Sequence, residues 1–104
     1  MKNNKKKTQH RGKSIATFAA GTQRLYDFLD NNPCFELHGV EHVNNPYVIA
    51  QNDNMVSINS AIQVDLMGQG NAEVVKGMQF SGVGGQVDFI RGATMSKGGR
   101  AIIA

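Results

Sequence analysis

The strongest structural signal in this chain is a glycine-rich segment, Ser81-Gly82-Val83-Gly84-Gly85-Gln86-Val87-Asp88-Phe89. Three glycines fall within four positions, and apolar residues at helical spacing follow them. Glycine adopts positive φ without steric cost and lets a ligand approach the backbone closely. Successive amides in such a turn can face one concavity and hold an anion, and the N-terminus of a following helix adds partial positive charge. The segment therefore predicts a site where backbone amides contact a substrate, or else a plain strand-to-helix turn.

The glycine pattern excludes two common nucleotide-binding motifs. No Gly-Lys-Ser/Thr follows it, so it is not a P-loop, and Val87 stands where G-x-G-x-x-G requires its third glycine. Because glycine-rich turns are common, a turn without any ligand stays open on physical grounds.

Size and composition indicate one soluble α/β domain. The chain has 104 residues, of which 40% are hydrophobic, and no apolar run approaches the roughly 20 residues that span a bilayer. The basic N-terminus is not followed by the hydrophobic segment of a secretory signal. Cys34 is the single cysteine, which excludes an internal disulfide and fits a reducing compartment. We therefore expect a cytoplasmic protein.

The net charge of +3 is unevenly distributed. Residues 1–13 carry +6 and residues 14–104 carry −3. We interpret residues 1–13 as a basic linker or tail, and residues 14–104 as the folded part. An acidic body is a poor binder of phosphate backbones. A non-catalytic module that binds nucleic acid or another acidic partner through this N-terminus therefore remains an alternative function.

Hydrophobic periodicity predicts alternating strands and helices. The expected helices are one that contains Leu25, Phe28 and Leu29 and one that runs from the glycine turn to Lys97. Tyr47–Ala50 could form a helical turn or a short strand. The expected strands lie at 15–20, 34–37, 55–60, 61–66 and 100–104. The sequence stops within the last apolar strand, from which we expect a fragment of a longer protein.

Two patterns with metal or nucleophile chemistry carry weaker signals. His38-Gly39-Val40-Glu41-His42 fits H-x-x-E-H, a zinc-protease pattern that needs both histidines on one helical face. Gly39 and Val40 are poor helix formers, and no third ligand lies nearby in the sequence, so we predict a solvated loop and no metal. Cys34 has no histidine at an obvious pairing distance, and we expect a small buried apolar residue there.

Several long segments resemble one family. They are YDFLDNNP (26–33), PYVIAQNDNMVSINSAIQVDLMGQ (46–69), QFSGVGGQVDFIRGA (79–93) and SKGG (96–99). Together they resemble the C-terminal domain of the acetyl-CoA hydrolase/transferase family, and within it the 4-hydroxybutyrate and butyryl/acetyl CoA-transferases. The resemblance is specific because ordered strings match, rather than one short motif.

The resemblance implies a partial open α/β CoA-transferase domain, truncated at both ends. It implies an enzyme that moves coenzyme A between an acyl-CoA and a short-chain carboxylate through a glutamyl-CoA intermediate, with coenzyme A as substrate and no metal. It also implies a homo-oligomer for the full-length protein. An acetyl-CoA hydrolase of the same family is the alternative, because the two reactions differ in whether water or a carboxylate accepts the acyl group.

The resemblance also implies site residues. The backbone of Gly84 and Gly85 would support the oxyanion, and Asp88 would cap the following helix. The family's nucleophilic glutamate lies upstream of this segment, so the resemblance places no catalytic side chain here and implies an inactive isolated chain. The expected coenzyme A contacts are Asn59, Ser60, Ile62, Gly82, Val83, Gly84, Gly85 and Gln86.

Overall fold

The computed structural model of the chain describes residues 6–72, 74–75, 78–79 and 84–104. Its helices and strands follow one another in the mixed order that the periodicity predicts. They are β1 (Ser14–Ala16), α1 (Gln23–Leu29), β2 (Phe35–Leu37), α2 (Val40–Val43), α3 (Pro46–Ala50), β3 (Val56–Asn59), β4 (Gln63–Val64), β5 (Gly70–Asn71), β6 (Val74–Val75), β7 (Met78–Gln79), α4 (Gln86–Met95) and β8 (Arg100–Ile103). The predicted α/β class is therefore confirmed.

In the described part of the chain, the strands form four two-stranded pairs. β1 pairs with β2 and β3 pairs with β8, both in parallel, whereas β4–β5 and β6–β7 are antiparallel. A parallel pair needs a crossover connection, usually through a helix. α1 lies in the crossover from β1 to β2, and α4 lies in the crossover from β3 to β8. Both crossover helices were predicted from the sequence.

α4 packs against α3 and supplies the centre of the small core. Ile49 of α3 and Ala93 of α4 are the apolar side chains buried among the described residues. Asn45 begins α3 by accepting a hydrogen bond from the Tyr47 amide at 2.9 Å, and Pro46 follows in the first turn. Proline suits this position because its missing N–H would have no intrahelical partner. Tyr47–Ala50 is therefore helical, which resolves the two alternatives left by the sequence.

A buried serine fixes the far end of α4 to β3. The Ser96 hydroxyl donates to the Asn52 carbonyl at 2.5 Å and accepts from the Met55 amide at 3.2 Å. The Asn54 amide also donates to the Lys97 carbonyl at 2.8 Å. The C-terminus of α4 thus lies at the amino ends of β3 and β8. The N-terminus of α4 lies toward the carboxyl ends of these strands.

Three expectations need correction. Cys34 is exposed rather than buried, because the turn before β2 holds it outside the small core. Asp88 does not cap α4: the N-cap is Gly85, and Asp88 lies in the first helical turn. The segment after His38 is not a loop, because Val40–Val43 forms the short helix α2.

The alternating pattern of β3 is present, but a polar residue occupies its buried side. Ser57 is 3% exposed, whereas Ile58 is 69% exposed. α4 packs against this pair of strands. Among the described residues the opposite face, with Ile58, has no covering layer that buries it. No helix in the part of the chain that the structure describes is long and apolar enough to cross a membrane.

Candidate functional site

The glycine turn opens onto a groove of about 750 Å³ between α2, α3 and the start of α4. Gly84 and Gly85 form one wall, and Asn44, Asn45 and Tyr47 lie among the other lining residues. The start of α3 therefore places the polar residues Asn44 and Asn45 in the same groove as the two glycines.

The backbone conformation of the turn suits anion binding. Gly84 has φ of +51°, and Gly85 has φ of −89° with ψ of 3°. A left-handed residue followed by one in this region turns successive amides toward one side. α4 begins directly after Gly85, and the first amides of a helix have no partner within it. The turn and the helix start can therefore stabilise negative charge with backbone donors.

Asn44 is a groove residue that the sequence did not point to. A Cβ placed on Gly85 would overlap the Asn44 amide nitrogen, so the absence of a side chain at Gly85 is what admits Asn44 to the turn. The Asn44 amide nitrogen carries two hydrogen-bond donors. The sequence pattern Asn44-Asn45-Pro46 predicted only a turn, because the approach of Asn44 to Gly85 depends on tertiary packing.

The charge of the groove limits what it can hold. Among its described lining residues, the charged side chains are Glu41 and Asp88, both acidic. Carboxylates repel phosphate groups at close range. The groove therefore suits a neutral ligand segment that develops local negative charge at the glycine turn, rather than a phosphate.

The other predicted contacts fall into two groups. Asn59, Ser60 and Ile62 lie at or just after the carboxyl end of β3 and do not line the groove. The Asn59 side-chain amide donates to the Ser57 hydroxyl at 2.7 Å, and the Ile62 backbone amide donates to the Asn71 backbone carbonyl at 2.7 Å. Because the C-terminus of α4 lies at the amino ends of β3 and β8, the glycine turn at its N-terminus lies toward their carboxyl ends. Asn59, Ser60 and Ile62 lie at this same edge. Ligands of parallel α/β sheets bind at this edge.

Three predicted contacts remain. Gln86 is the first residue of α4 and is half-buried. Gly82 and Val83 lie outside the described residues.

A second cluster of functional groups lies away from the groove. His38 Nε2 lies 3.0 Å from Glu36 Oε2, and His10 Nδ1 lies 3.5 Å from the same oxygen. Lys13 Nζ lies 3.5 Å from Glu36 Oε1. The hydrogen bond from His38 lowers the pKa of the Glu36 carboxyl below its ordinary value of 4.5, and the charges of Lys13 and His10 act in the same direction.

The zinc-protease pattern is not realised, but its histidines do approach each other. His38 precedes α2, so the two histidines are not on one helix, and Glu41 lines the groove instead. The ring centroids of His38 and His42 are nevertheless 4.9 Å apart. His10 and Glu36 lie beside His38, so the fold brings together candidate ligands that the H-x-x-E-H spacing did not indicate. Sequence spacing could not show this, because the contact joins segments 26 residues apart.

Comparison with known proteins identifies the family. The sequence model of the acetyl-CoA hydrolase/transferase C-terminal domain matches residues 21–104. The chain belongs to the acetyl-CoA hydrolase/transferase family. It is 66% identical over 102 residues to a 4-hydroxybutyrate coenzyme A transferase from Clostridium kluyveri. That match covers 98% of this chain and 24% of the relative, so the chain spans about a quarter of its length.

Solved structures confirm the family fold. The chain superimposes on RipA from Yersinia pestis with a TM-score of 0.87 at 51% identity, which covers 97% of this chain and 23% of RipA. It superimposes on a 4-hydroxybutyrate CoA-transferase from Porphyromonas gingivalis with a TM-score of 0.80 at 48% identity, which covers 97% of this chain and 22% of that enzyme. The expected resemblance to a partial CoA-transferase domain is confirmed.

Proposed function

We propose that this chain forms part of the coenzyme A site of a CoA-transferase. The full-length enzyme would move coenzyme A between an acyl-CoA, such as acetyl-, butyryl- or 4-hydroxybutyryl-CoA, and a short-chain carboxylate. The observation that carries this proposal is the 66% identity to a 4-hydroxybutyrate coenzyme A transferase across nearly the whole chain. The open groove at Gly84 and Gly85 supports it.

The reaction would follow a ping-pong route. A glutamate outside this chain attacks the thioester carbonyl, and the collapse of the tetrahedral intermediate gives an acyl anhydride and a CoA thiolate. The thiolate attacks the carbonyl that belongs to the glutamate, releases the acyl group as a carboxylate and leaves a glutamyl-CoA thioester. An incoming carboxylate then reverses these two steps and leaves as a new acyl-CoA.

The chain's contribution would be electrostatic. Each attack creates a tetrahedral oxyanion, and preorganised donors aimed at that oxygen lower the barrier. The backbone amides that begin α4 after Gly85 are such donors, with the Asn44 side chain beside them. Loss of one oxyanion donor typically reduces kcat by about 100- to 1000-fold.

The acidic lining of the groove supports a particular orientation of the substrate. Glu41 and Asp88 would repel the phosphates of coenzyme A, whereas the pantetheine arm and the thioester are neutral. The thioester end would therefore lie at Gly84 and Gly85, and the phosphates would lie away from this groove. Asn59, Ser60 and Ile62, at the carboxyl end of β3, would contact another part of coenzyme A.

Two alternatives lead to different measurements. A hydrolase of the same family would release free carboxylate from acetyl-CoA without an acceptor. A module for acidic partners would depend on residues 1–13, but part of that charge is paired internally, because Lys13 Nζ lies 3.5 Å from Glu36 Oε1. The acidic-partner hypothesis therefore has less support.

A pair of glycine substitutions in the full-length enzyme tests the proposed role of the turn. Gly84 and Gly68 both have positive φ, and among the described residues no atom lies within 4 Å of the position that a Cβ would take at either glycine. Gly84→Ala and Gly68→Ala therefore impose similar backbone strain, of about 1–2 kcal/mol. We expect Gly84→Ala to reduce kcat/KM for acetyl-CoA and butyrate by at least about tenfold, and Gly68→Ala to change it far less.

Equal effects of the two substitutions would contradict the role of the glycine turn. The isolated 104-residue chain supplies a further test, because it lacks the proposed nucleophile. We expect no transfer from acetyl-CoA to butyrate when it is assayed alone. Turnover by the isolated chain would overturn the placement of the nucleophile.

A further inference from the structure

A histidine–carboxylate cluster lies at the end of β2, outside the glycine groove. We infer that His10, Glu36 and His38 form a binding site for a divalent transition metal of the Zn²⁺ class. This site is independent of the proposed acyl transfer.

The donor atoms have the spacing that a tetrahedral metal needs. One donor atom each from His10, Glu36 and His38 lies within 4.8 Å of the others, and two of the separations are 3.0 and 3.5 Å. Metal–ligand bonds of about 2.0–2.1 Å place the corners of a tetrahedron roughly 3.3 Å apart. Small side-chain movements would therefore bring all three atoms onto one ion.

The backbone holds these ligands on one side of β2. Residues i and i+2 of a strand point to the same face, which brings Glu36 and His38 together. The ladder extends beyond β2, since the His38 amide donates to the Ala16 carbonyl at 3.0 Å. His10 has φ of +47°, in the left-handed region that non-glycine residues seldom adopt. His10 thus lies in a tight turn, with its ring Nδ1 3.5 Å from Glu36 Oε2.

The donor set selects the class of metal. Two imidazole nitrogens and one carboxylate oxygen suit Zn²⁺ and Co²⁺, whereas Ca²⁺ and Mg²⁺ prefer oxygen ligands. Three protein ligands leave a fourth position for water. His42 packs beside the two histidine rings, with centroids 4.9 Å from His38 and 5.6 Å from His10, and supplies none of the three grouped ligand atoms.

The positive charges near the cluster set the manner of binding. Lys13 Nζ lies near Glu36 Oε1 and also donates to the Pro33 carbonyl, so Oε2 is the carboxylate oxygen that faces both histidines. Lys7 is half-buried, and its ammonium donates to the Lys13 carbonyl at 3.0 Å. These ammonium groups oppose a cation, so we expect single-oxygen coordination by Glu36 and micromolar rather than nanomolar affinity.

A bound metal would cross-link two segments. His10 lies in the basic N-terminal segment. This segment also contacts the body at Gln9, whose backbone amide donates to the Asn52 side chain at 3.2 Å. Glu36 and His38 belong to the β2 region. Metal binding would therefore anchor the N-terminal segment to the β1–β2 pair, and the thermal unfolding midpoint should rise with metal concentration.

Calorimetric titration of the 104-residue chain with Zn²⁺ tests the site. The exposed Cys34 is an independent metal ligand, so all proteins carry Cys34→Ser. We expect one Zn²⁺ per chain, and a Co²⁺ complex with the intense visible absorption of tetrahedral coordination. His10→Gln, Glu36→Gln and His38→Gln should each weaken Zn²⁺ binding by at least about tenfold and abolish the metal-dependent rise in Tm.

Two matched variants control for lost charge and lost imidazole. Glu41→Gln removes a carboxylate from the groove, and His42→Gln removes the histidine whose nitrogens are not in the ligand group. Both should retain Zn²⁺ binding within about threefold, a smaller loss than removal of a metal's supporting groups usually causes. Circular dichroism without metal identifies any variant that fails to fold, and the Co²⁺ spectrum of the Cys34→Ser chain then decides the coordination. Absence of Zn²⁺ binding, octahedral Co²⁺, or equal losses in Glu36→Gln and Glu41→Gln would overturn the proposal.

Discussion

Gly92 of α4 lies so close to Ile49 of α3 that a Cβ added to Gly92 would overlap the Cβ and Cγ2 atoms of Ile49. The Pro46 carbonyl oxygen would be 3.1 Å from the same added atom. The two helices therefore approach each other at a point where only a hydrogen fits. This contact lies in the core, at the buried side chains of Ile49 and Ala93.

Gly92→Ala should destabilise the chain. The added methyl group must push α3 away from α4, and overpacking of this kind typically costs about 1–3 kcal/mol. In an exposed helix the same substitution would stabilise by about 1 kcal/mol, so the sign of the effect reports the packing. Urea denaturation followed by circular dichroism measures the change in the free energy of unfolding.

Two further variants distinguish packing from helix propensity. Thr94→Ala lies on the exposed side of α4 and should change the free energy of unfolding by no more than about 0.5 kcal/mol. Ile49→Ala removes the Cγ2 atom that the added methyl group would overlap, so it should relieve part of the cost of Gly92→Ala in a double-mutant cycle. Stabilisation by Gly92→Ala would contradict the close approach of the helices.

Ser96→Ala should also destabilise the chain, through hydrogen bonding rather than volume. The substitution leaves the Asn52 carbonyl and the Met55 amide without the hydroxyl that satisfies both. Unsatisfied groups of this kind cost about 1–3 kcal/mol. Ser60→Ala, at an exposed serine, is the matched control and should be nearly neutral in the same urea titration.

The stability of the metal-free chain should fall in acid through Glu36. Its pKa is lowered in the folded state, so the unfolded state takes up the proton first as pH decreases. The stabilisation is fully present above the ordinary pKa and is lost as the pH falls through the lowered value. In the presence of a chelator, Glu36→Gln should be less stable than the parent near neutrality.

In acid, the free energies of unfolding of Glu36→Gln and the parent chain should converge. The Glu36 carboxyl is then protonated and, like the glutamine amide, carries no charge. The effect should be small because the Glu36 side chain is about one-third exposed and solvent screens the interaction. A stability difference that persists unchanged into acid would show that Glu36 acts through packing rather than charge.

Gly85 and Asn44 should behave as a coupled pair in the full-length enzyme. Gly85→Ala displaces the Asn44 amide, so the two single substitutions should affect kcat/KM through the same contact. We expect Gly85→Ala to cost much less activity in an Asn44→Ala background than in the parent. Fully additive effects would show that Asn44 and the turn act separately.

Local signals in the sequence were sufficient for the helices that flank the sites. The spacing of Leu25, Phe28 and Leu29 predicted α1, and the glycine turn with Lys97-Gly98-Gly99 bounded α4. These predictions succeeded because spacing and terminating residues act within one turn of the chain. The sequence alone also revealed the family, since its longest matching strings include most of β3 and α4.

Contacts between distant segments were beyond local pattern analysis. His10 meets Glu36 where the N-terminal segment lies against the body, and Asn44 meets Gly85 where α3 packs on α4. The buried position of Ser57 was equally hidden. Alternation in β3 gives the period of burial, but the face that is covered depends on where α4 lies.

The attachment of α4 at Ser96 makes the helix a lever. Ten residues at 1.5 Å per residue separate the anchored end from the glycine turn by about 15 Å. A tilt of about 5° at the anchor moves the turn by roughly 1.3 Å over that length, and a misplacement of 1 Å can cost about 100-fold in rate. Ser96 therefore acts on the glycine turn from a distance, and a change in its hydrogen bonds at the amino end of β3 would move the backbone donors that we propose for the oxyanion.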